Sequence, residues 1–558
     1  MNAPCAAVTL FLFAACVTTH GASAPPPVAA VQPPKQPPLL VEGVGAYARP
    51  VSHAPEEAQR WFNQGLNLVY GFNHDEAIRS FAWASELAPE CALCAWGVAY
   101  ANGPHINNPQ LSPANARAAW TALQQAQALA GGATPVEQAL IHALAARYAD
   151  PSPADRAGLD AAYAEAMRGV RKAFPNDADV VALTAEALMD LHPWDLYLSD
   201  NTPQPWTAEV VEVTRAALTI APRHPMANHL LIHALEGSAE PKQAQGAAEL
   251  LRTLQPGLGH MVHMPSHIDV RTGQWVAAIE ANLRAIAADE AYRARAPEQG
   301  FYALYMAHNH QMLAFAAMMS GRSKEAIASM NQMVAQIPPG FRAEAPAFVD
   351  AFFALPLEVL MRFGKWEEIL AAPEFGEDLP ASRALRQVAR GVAFAATGRL
   401  KEAREAQQAF EAARARVPAD YLMGQALVSA INELAGRLLE GEILYADGQE
   451  AAGLAALRRA VEAEDRLKYD EPPDWLQPTR HALGAALNRS KKFAEAEKVF
   501  REDLRRTPDN GWALFGLAQA LKGQNKREEA KATEARFAQI WEKADISLDT
   551  ACLCQSGH

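Results

Sequence analysis

Seven of the sixteen histidines lie between Asn228 and His310. They fall in three blocks, NHLLIHALE (228–236), HMVHMPSHI (260–268) and HNH (308–310). His229 and His233 are four residues apart, as are His263 and His267, and on a helix that spacing puts both imidazoles on one face, a turn apart. Glu236 follows His233 by three and joins the same face. Neutral imidazoles and a carboxylate held by rigid elements are what a transition-metal site needs, with coordination positions left for water or substrate. The candidate ligands are His229, His233, His263 and His267, then His308 and His310. Glu236 is a further ligand or, if unligated, a general base toward metal-bound water. Gly257 and Gly259 place His260 on a loop, outside this set. An imidazole-rich site suits zinc, copper, nickel or iron and does not choose among them. The spacing is neither H-E-x-x-H nor the Glu-x-x-His of di-iron bundles.

Two metal-free readings stand beside this one. The histidines could form a hydrogen-bonded structural network, which for six imidazoles needs many buried partners. They could also line a pocket for an anionic ligand or a peptide. Met261, Met264, Met306, Met312, Met318 and Met319 offer thioether sulfurs, but methionine at helical spacing is expected to fill a core. His192-Pro193-Trp194-Asp195 and the proline-rich run after it are expected to form a rigid turn between helices, with a lid over the site as the alternative. No phosphate-binding glycine loop, dinucleotide fingerprint or nucleophile elbow occurs in a fitting context.

Four cysteines lie outside the first twenty residues, Cys91 and Cys94 as C-x-x-C and Cys552 and Cys554 as C-x-C. In an oxidising compartment a disulfide within or between these pairs is expected. A four-thiolate metal site is the alternative, and it requires the C-terminus to fold back across the chain. Ala95 stands where a c-type haem attachment would need histidine.

The elements that must position these groups are helices. From about residue 55 a helical repeat near 34 residues dominates. Trp61, Gly65, Leu68, Ala77, Phe81, Ala84 and Pro89 stand at the marker positions of a tetratricopeptide (TPR) repeat. Gly484, Leu487, Phe493, Ala496, Phe500 and Pro508 repeat the pattern. Fainter copies surround Gly273 to Ala285, Gly321 to Pro338 and Gly391 to Ala403. In such a pair the small residues admit close approach, the large ones fill the gap, and proline stops the second helix. The expected fold is all-α, a right-handed α-solenoid of TPR-type helix pairs. Residues 226–236, 262–272 and 303–319 fit three successive first helices, which share one surface.

A narrower likeness rests on YGFNHDEAIRSF (70–81), CALCAWGVAYANGPHINNP (91–109), MDLHPWD (189–195), NHLLIHALE, HMPSHI and YDEPPDW (469–475). These blocks resemble those of a family of bacterial TPR proteins without a settled biochemical function. The resemblance implies the fold and singles out motifs, and it names no reaction. The acidic YDEPPDW segment is expected to face solvent as a cap between helices, with no chemistry of its own.

The first 24 residues read as an export signal, an apolar core (Ala6 to Val17) followed by Ala22-Ser23-Ala24. Leu12 to Cys16 also resembles a bacterial lipobox, with Cys16 the lipidation candidate. Residues 25–50 are a proline-rich linker, 51–340 an N-terminal solenoid with the histidine-rich centre, 341–545 a C-terminal solenoid and 546–558 a cysteine-containing tail. The chain is thus expected to be exported, periplasmic or envelope-associated, and to meet a membrane only through a lipid anchor. Half its residues are hydrophobic, and 50 basic against 63 acidic side chains give a net charge of −13, which argues against nucleic acid as a partner. The function expected from the repeats is a scaffold that binds proteins or peptides in the bacterial envelope. The alternative is a metal-binding protein, with enzymatic activity at the His-rich groove.

Overall fold

A computed structural model describes residues 36–555. The export segment, Cys16 and residues 25–35 of the proline-rich linker lie outside the described residues. The protein is built of α-helices packed in consecutive antiparallel pairs, as expected. One two-residue hairpin, Leu422–Met423 with Ala426–Leu427, is the β-structure among the described residues.

The repeat markers do the packing their positions imply. Glu56–Tyr70 packs on His74–Leu87, which packs on Ala92–Ala101. Phe81, fully buried, lies between the first and third of these helices. A Cβ on Gly65 would lie 2.7 Å from its ring, and one on Gly97 2.5 Å. Only glycine lets both backbones come so close. Phe500 repeats the arrangement between Gly484 and Gly516.

Two apolar cores run through the array. One is drawn from residues 58–306 and the other from residues 270–554, so the helices between Val270 and Met319 serve both. The last repeats return to that shared region. Trp275 Nε1 donates to the Pro508 carbonyl (3.2 Å), Arg271 Nη1 to the Arg506 carbonyl (3.1 Å) and Trp512 Nε1 to the Met318 carbonyl (2.8 Å). The six methionines of the central region are buried as core filling, and Met306 Sδ also accepts from Arg293 Nη2.

The cysteines pair within their motifs, Cys91 with Cys94 and Cys552 with Cys554. The two pairs belong to different cores, so they form no four-thiolate site. The tail does fold back. Its last turn, Leu553–Gln555, packs against Leu355–Arg362, Pro380–Ala396, Val428–Ala446 and Thr479–Arg489, four successive first helices of the C-terminal pairs.

Candidate metal centre

Three segments bring the histidines together. Pro225–Glu236 starts with proline in its first turn, and the His224 ring, at the N-cap, accepts from Ala227 N. Asn228 ties this start to the preceding loop, donating to the Pro222 and His224 carbonyls. The second segment is broken at Met264-Pro265 into Gly259–His263 and Pro265–Arg271. The third is Tyr302–Met319.

The ring nitrogens fall into two groups of three, His229/His233/His260 and His263/His267/His308, with the ligand atoms of each group within 4.8 Å of one another. His229 Nε2 lies 3.1 Å from both His233 Nε2 and His260 Nε2, and His263 Nε2 lies 2.7 Å from His267 Nε2. Two nitrogens bound tetrahedrally at about 2.0 Å from one zinc-sized ion stand about 3.3 Å apart. The 3.1 Å separations of the first group are close to that, and the 2.7 Å pair of the second would have to part by about 0.6 Å to take an ion.

The opposite edge of four rings fixes their tautomers. Nδ1–H of His229 donates to the Tyr70 carbonyl (2.9 Å), which can only accept. Nδ1–H of His263 donates to Asn282 Oδ1 (2.7 Å), and the Asn282 amide is oriented by its own bond to the Ala278 carbonyl. Glu236 accepts at both oxygens, from Nδ1–H of His233 (2.9 Å) and of His267 (2.5 Å). Each neutral ring thus turns an Nε2 lone pair toward its group. Carbonyl or carboxylate partners on the far nitrogen are the usual support of metal-ligating histidine.

Electrostatics keep most of these rings neutral. Burial, reinforced by neighbouring imidazoles, holds His229, His260 and His263 well below the ordinary histidine range and His308 down to about 3. Burial also opposes charge on His267, but the Glu236 carboxylate outweighs it and raises that pKa. Glu236 is held at about 2: burial would raise it, and His267 and His233 overcome that. Without metal, a proton between His267 and His263 can satisfy the second group. In the first group only His260, whose Nδ1 has no partner, can offer an Nε2–H to His229.

These positions revise the expected ligand set. His308 joins the second group. His310, two residues and about 200° round the helix from His308, leaves the cluster and meets Ser329 Oγ (3.2 Å). His260 belongs to the first group, because the chain enters a helix at Gly259 instead of remaining a loop. Glu236 directs its oxygens at Nδ1 atoms, so it supports the ligands from behind.

Aromatic rings close the first group. Phe72, 2% exposed and at φ 60°, has its ring 4.3 Å from that of His229 and stacks over His233 and His260. Tyr305 lies 4.5 Å from His260. Trp194 meets His233 edge-on at 5.5 Å and donates to Asn107 Oδ1 (2.9 Å). His192, Trp194, Tyr469, His233 and Glu236 share one small cleft, so the 192–195 turn borders the site. His74 and His105 stack on each other at 4.1 Å on the far side of Phe72.

The acidic segment at 469–475 does not face solvent. Glu471, Asp474 and Trp475 are buried, and Tyr469 donates to Glu471 Oε2 (2.6 Å) beneath Arg271, whose guanidinium lies 5.4 Å from the Tyr469 ring. Lys468 reaches Asp195 at 2.8 Å, linking this segment to the turn beside the histidines. Burial pushes Glu471 up to about 7, against the pull of His267. Its proline-rich, charged composition hid this; only the packing of the two arms buries it.

No protein-family model matches the sequence, and no curated protein matches it. Solved helical-repeat structures align along most of the chain. Human IFIT1, solved as a dimer with m7Gppp-AAAA, is 13% identical at a TM-score of 0.32, covering 86% of this chain and 89% of its own. Cut9, from the APC/C hetero-tetramer Cut9-Hcn1, gives 11% and 0.30 over 88% of this chain and 76% of that one. Yeast Tom70 gives 11% and 0.28 over 87% and 92%. The helix pairing described above carries the fold assignment by itself.

Proposed function

We propose that the protein is a metalloprotein whose N-terminal arm holds two adjacent transition-metal ions, each on three imidazoles, and that this pair of ions acts on a small substrate. The observation that carries the reading is the orientation of the rings. Four Nδ1–H groups are spent on Tyr70, Asn282 and Glu236, leaving the Nε2 atoms facing one another inside each group. In the first group His229 can accept from His260 alone, and His233 Nε2 is then left facing a second lone pair, which a fully satisfied histidine network would avoid.

Three protein ligands leave a coordination position open, the arrangement of catalytic sites as opposed to closed structural ones. The ligands are all nitrogen, with the shared carboxylate behind them, where two-metal hydrolases bridge their ions. All-imidazole ligation suits zinc, copper, nickel or iron alike, so the identity of the ions is left to reconstitution. An exported location, the reading of the first 24 residues, would give the centre an oxidising compartment.

A helical-repeat scaffold is also consistent with protein binding, since stacked pairs build extended concave surfaces. The two readings are compatible. The deciding experiment is metal analysis by mass spectrometry of protein purified without a polyhistidine tag or chelator, then reconstituted in turn with copper, iron and zinc. About two equivalents, lost in a His229→Ala/His263→Ala double variant, are expected. A folded protein that takes up no metal under any of these conditions leaves the scaffold reading alone.

A further inference from the structure

The second core holds a cluster of ligating groups that the histidine centre does not use. Glu442, in the last turns of Val428–Ala446, is 2% exposed. Burial pushes its carboxyl up to about 7. Its surroundings are neutral: Gln555 Nε2 donates to it at 3.3 Å, and Cys554 Sγ, a disulfide sulfur with no hydrogen to give, lies 3.4 Å from its Oε1. Cys552 Sγ accepts from Gln477 Nε2 at 3.5 Å. The two sulfurs and the Glu442 carboxylate all lie within 4.8 Å of one another.

Two buried amides flank the cluster. Gln477 and Gln555, each 3% exposed, place their amide nitrogens on the cluster, and the Oε1 of each is buried without a partner. An end-for-end turn of either amide, which exchanges near-equivalent positions, would present that oxygen to a cation. Two thiolates and a carboxylate would carry −3, most of which a divalent ion offsets, and the Arg489 guanidinium, whose Nη1 donates to the Gln555 carbonyl, is near enough to favour the ionised Glu442.

We propose that, once the Cys552–Cys554 disulfide is reduced, Cys552, Cys554 and Glu442 bind one thiophilic divalent cation of the zinc class, with a Gln477 or Gln555 amide oxygen or water as fourth ligand. In the reduction a dithiol passes two electrons and two protons to the cysteines and leaves as its own disulfide. The cation then displaces the two thiol protons and, where present, the Glu442 proton. The site is formed by the tail lying in the C-terminal arm, so metal occupancy reports the thiol state of the chain's end.

Cobalt(II) separates this site from the histidine centre, because only thiolate ligands give sulfur-to-cobalt charge-transfer absorption. Full-length protein, reduced anaerobically with a phosphine and checked for free thiols, is titrated with Co²⁺. The expected result is a charge-transfer band that saturates at one equivalent and is bleached by Zn²⁺. It should be missing from the oxidised protein and from Cys552→Ser/Cys554→Ser, and retained in Cys91→Ser/Cys94→Ser. Glu442→Gln, which preserves volume, should weaken cobalt binding at least about tenfold, as loss of even an outer partner of a metal ligand does. A reduced wild-type protein with free thiols and no band overturns the proposal, as does a band that survives loss of Cys552 and Cys554 or is indifferent to Glu442→Gln. The comparison of oxidised and reduced wild type does not depend on any variant folding, and none of these outcomes bears on the histidines.

Discussion

Nδ1 of His267 donates to Glu236 at 2.5 Å, across thirty-one residues and between two helices. The other oxygen of the same carboxylate holds His233. One buried charge thus orients a ring in each histidine group.

Glutamine at 236 cannot do this. Its amide offers one oxygen and one NH2, so it can accept from one ring and must confront the other donor to donor. That ring has to move its proton to Nε2, where the ligand lone pair was. Glu236→Gln should weaken one of the two metal sites about 10–100-fold and leave the other close to wild type. Competition titration with a chromophoric chelator resolves the two; uniform weakening of both, or none, would contradict the shared-carboxylate arrangement.

His260 and His310 offer a paired contrast. The first faces His229 Nε2 at 3.1 Å and the second turns to Ser329. Loss of the His260 imidazole should remove about one of the two equivalents of bound metal, leaving the ion with two protein ligands. His310→Ala should keep both. The reverse outcome would restore the reading taken from spacing alone.

Asp179 anchors the start of the first histidine helix. Its carboxylate accepts from Tyr47, Tyr70 and Arg49 and is 3.1 Å from His224 Nε2. Burial would raise its pKa, but His224 and Arg49 reverse that and hold it well below the usual carboxylate range. A depressed folded pKa contributes stability that is present above the unfolded value, about 3.9, and is lost as pH falls toward the folded one. Asp179→Asn should therefore cost about 3–5 kcal/mol at neutral pH, the usual result of removing one partner of a buried ion pair. The gap between variant and wild type should narrow below about pH 4. Urea melts at pH 7 and pH 3.5 measure both; a gap independent of pH would mean that the charge is not what stabilises this corner.

Phe81 tests the repeat packing. It is fully buried between two glycines whose helices have no side chain to collapse into the space. Phe81→Ala should cost about 3–5 kcal/mol, at the upper end for cavity formation, because neighbouring backbone is already as close as the ring permits. Chemical denaturation reads it, and a loss under about 1 kcal/mol would mean that the pair relaxes into the cavity.

Much of this was legible in residue spacing. The glycine and aromatic markers imply helix pairs, and Phe81 and Phe500 pack as those markers require. His229 with His233, and His263 with His267, do face one another in pairs. Spacing within one helix cannot assign partners between helices, so it does not separate His308 from His310, and the glycines beside His260, which read locally as a loop, open a helix. His310, two residues from His308, points elsewhere because a helix turns about 200° over two residues. The burial of Glu471, Asp474 and Trp475 is a long-range fact: it depends on the C-terminal repeats returning to Arg271 and Asp195, which no local pattern records.

The turn at Leu553–Gln555 lies on four successive first helices of the C-terminal pairs, with Cys552 and Gln555 buried there. Only about ten residues connect it to the end of Arg527–Ile540. A short tether of this kind holds its own end at a local concentration on the order of millimolar. A free peptide seeking the same face at micromolar concentration would see its apparent affinity reduced by the ratio of that tethered concentration to the tail's own dissociation constant. The inner face of the C-terminal arm therefore comes with a resident competitor, and an outside ligand gains it only when something first persuades the chain to release its own end.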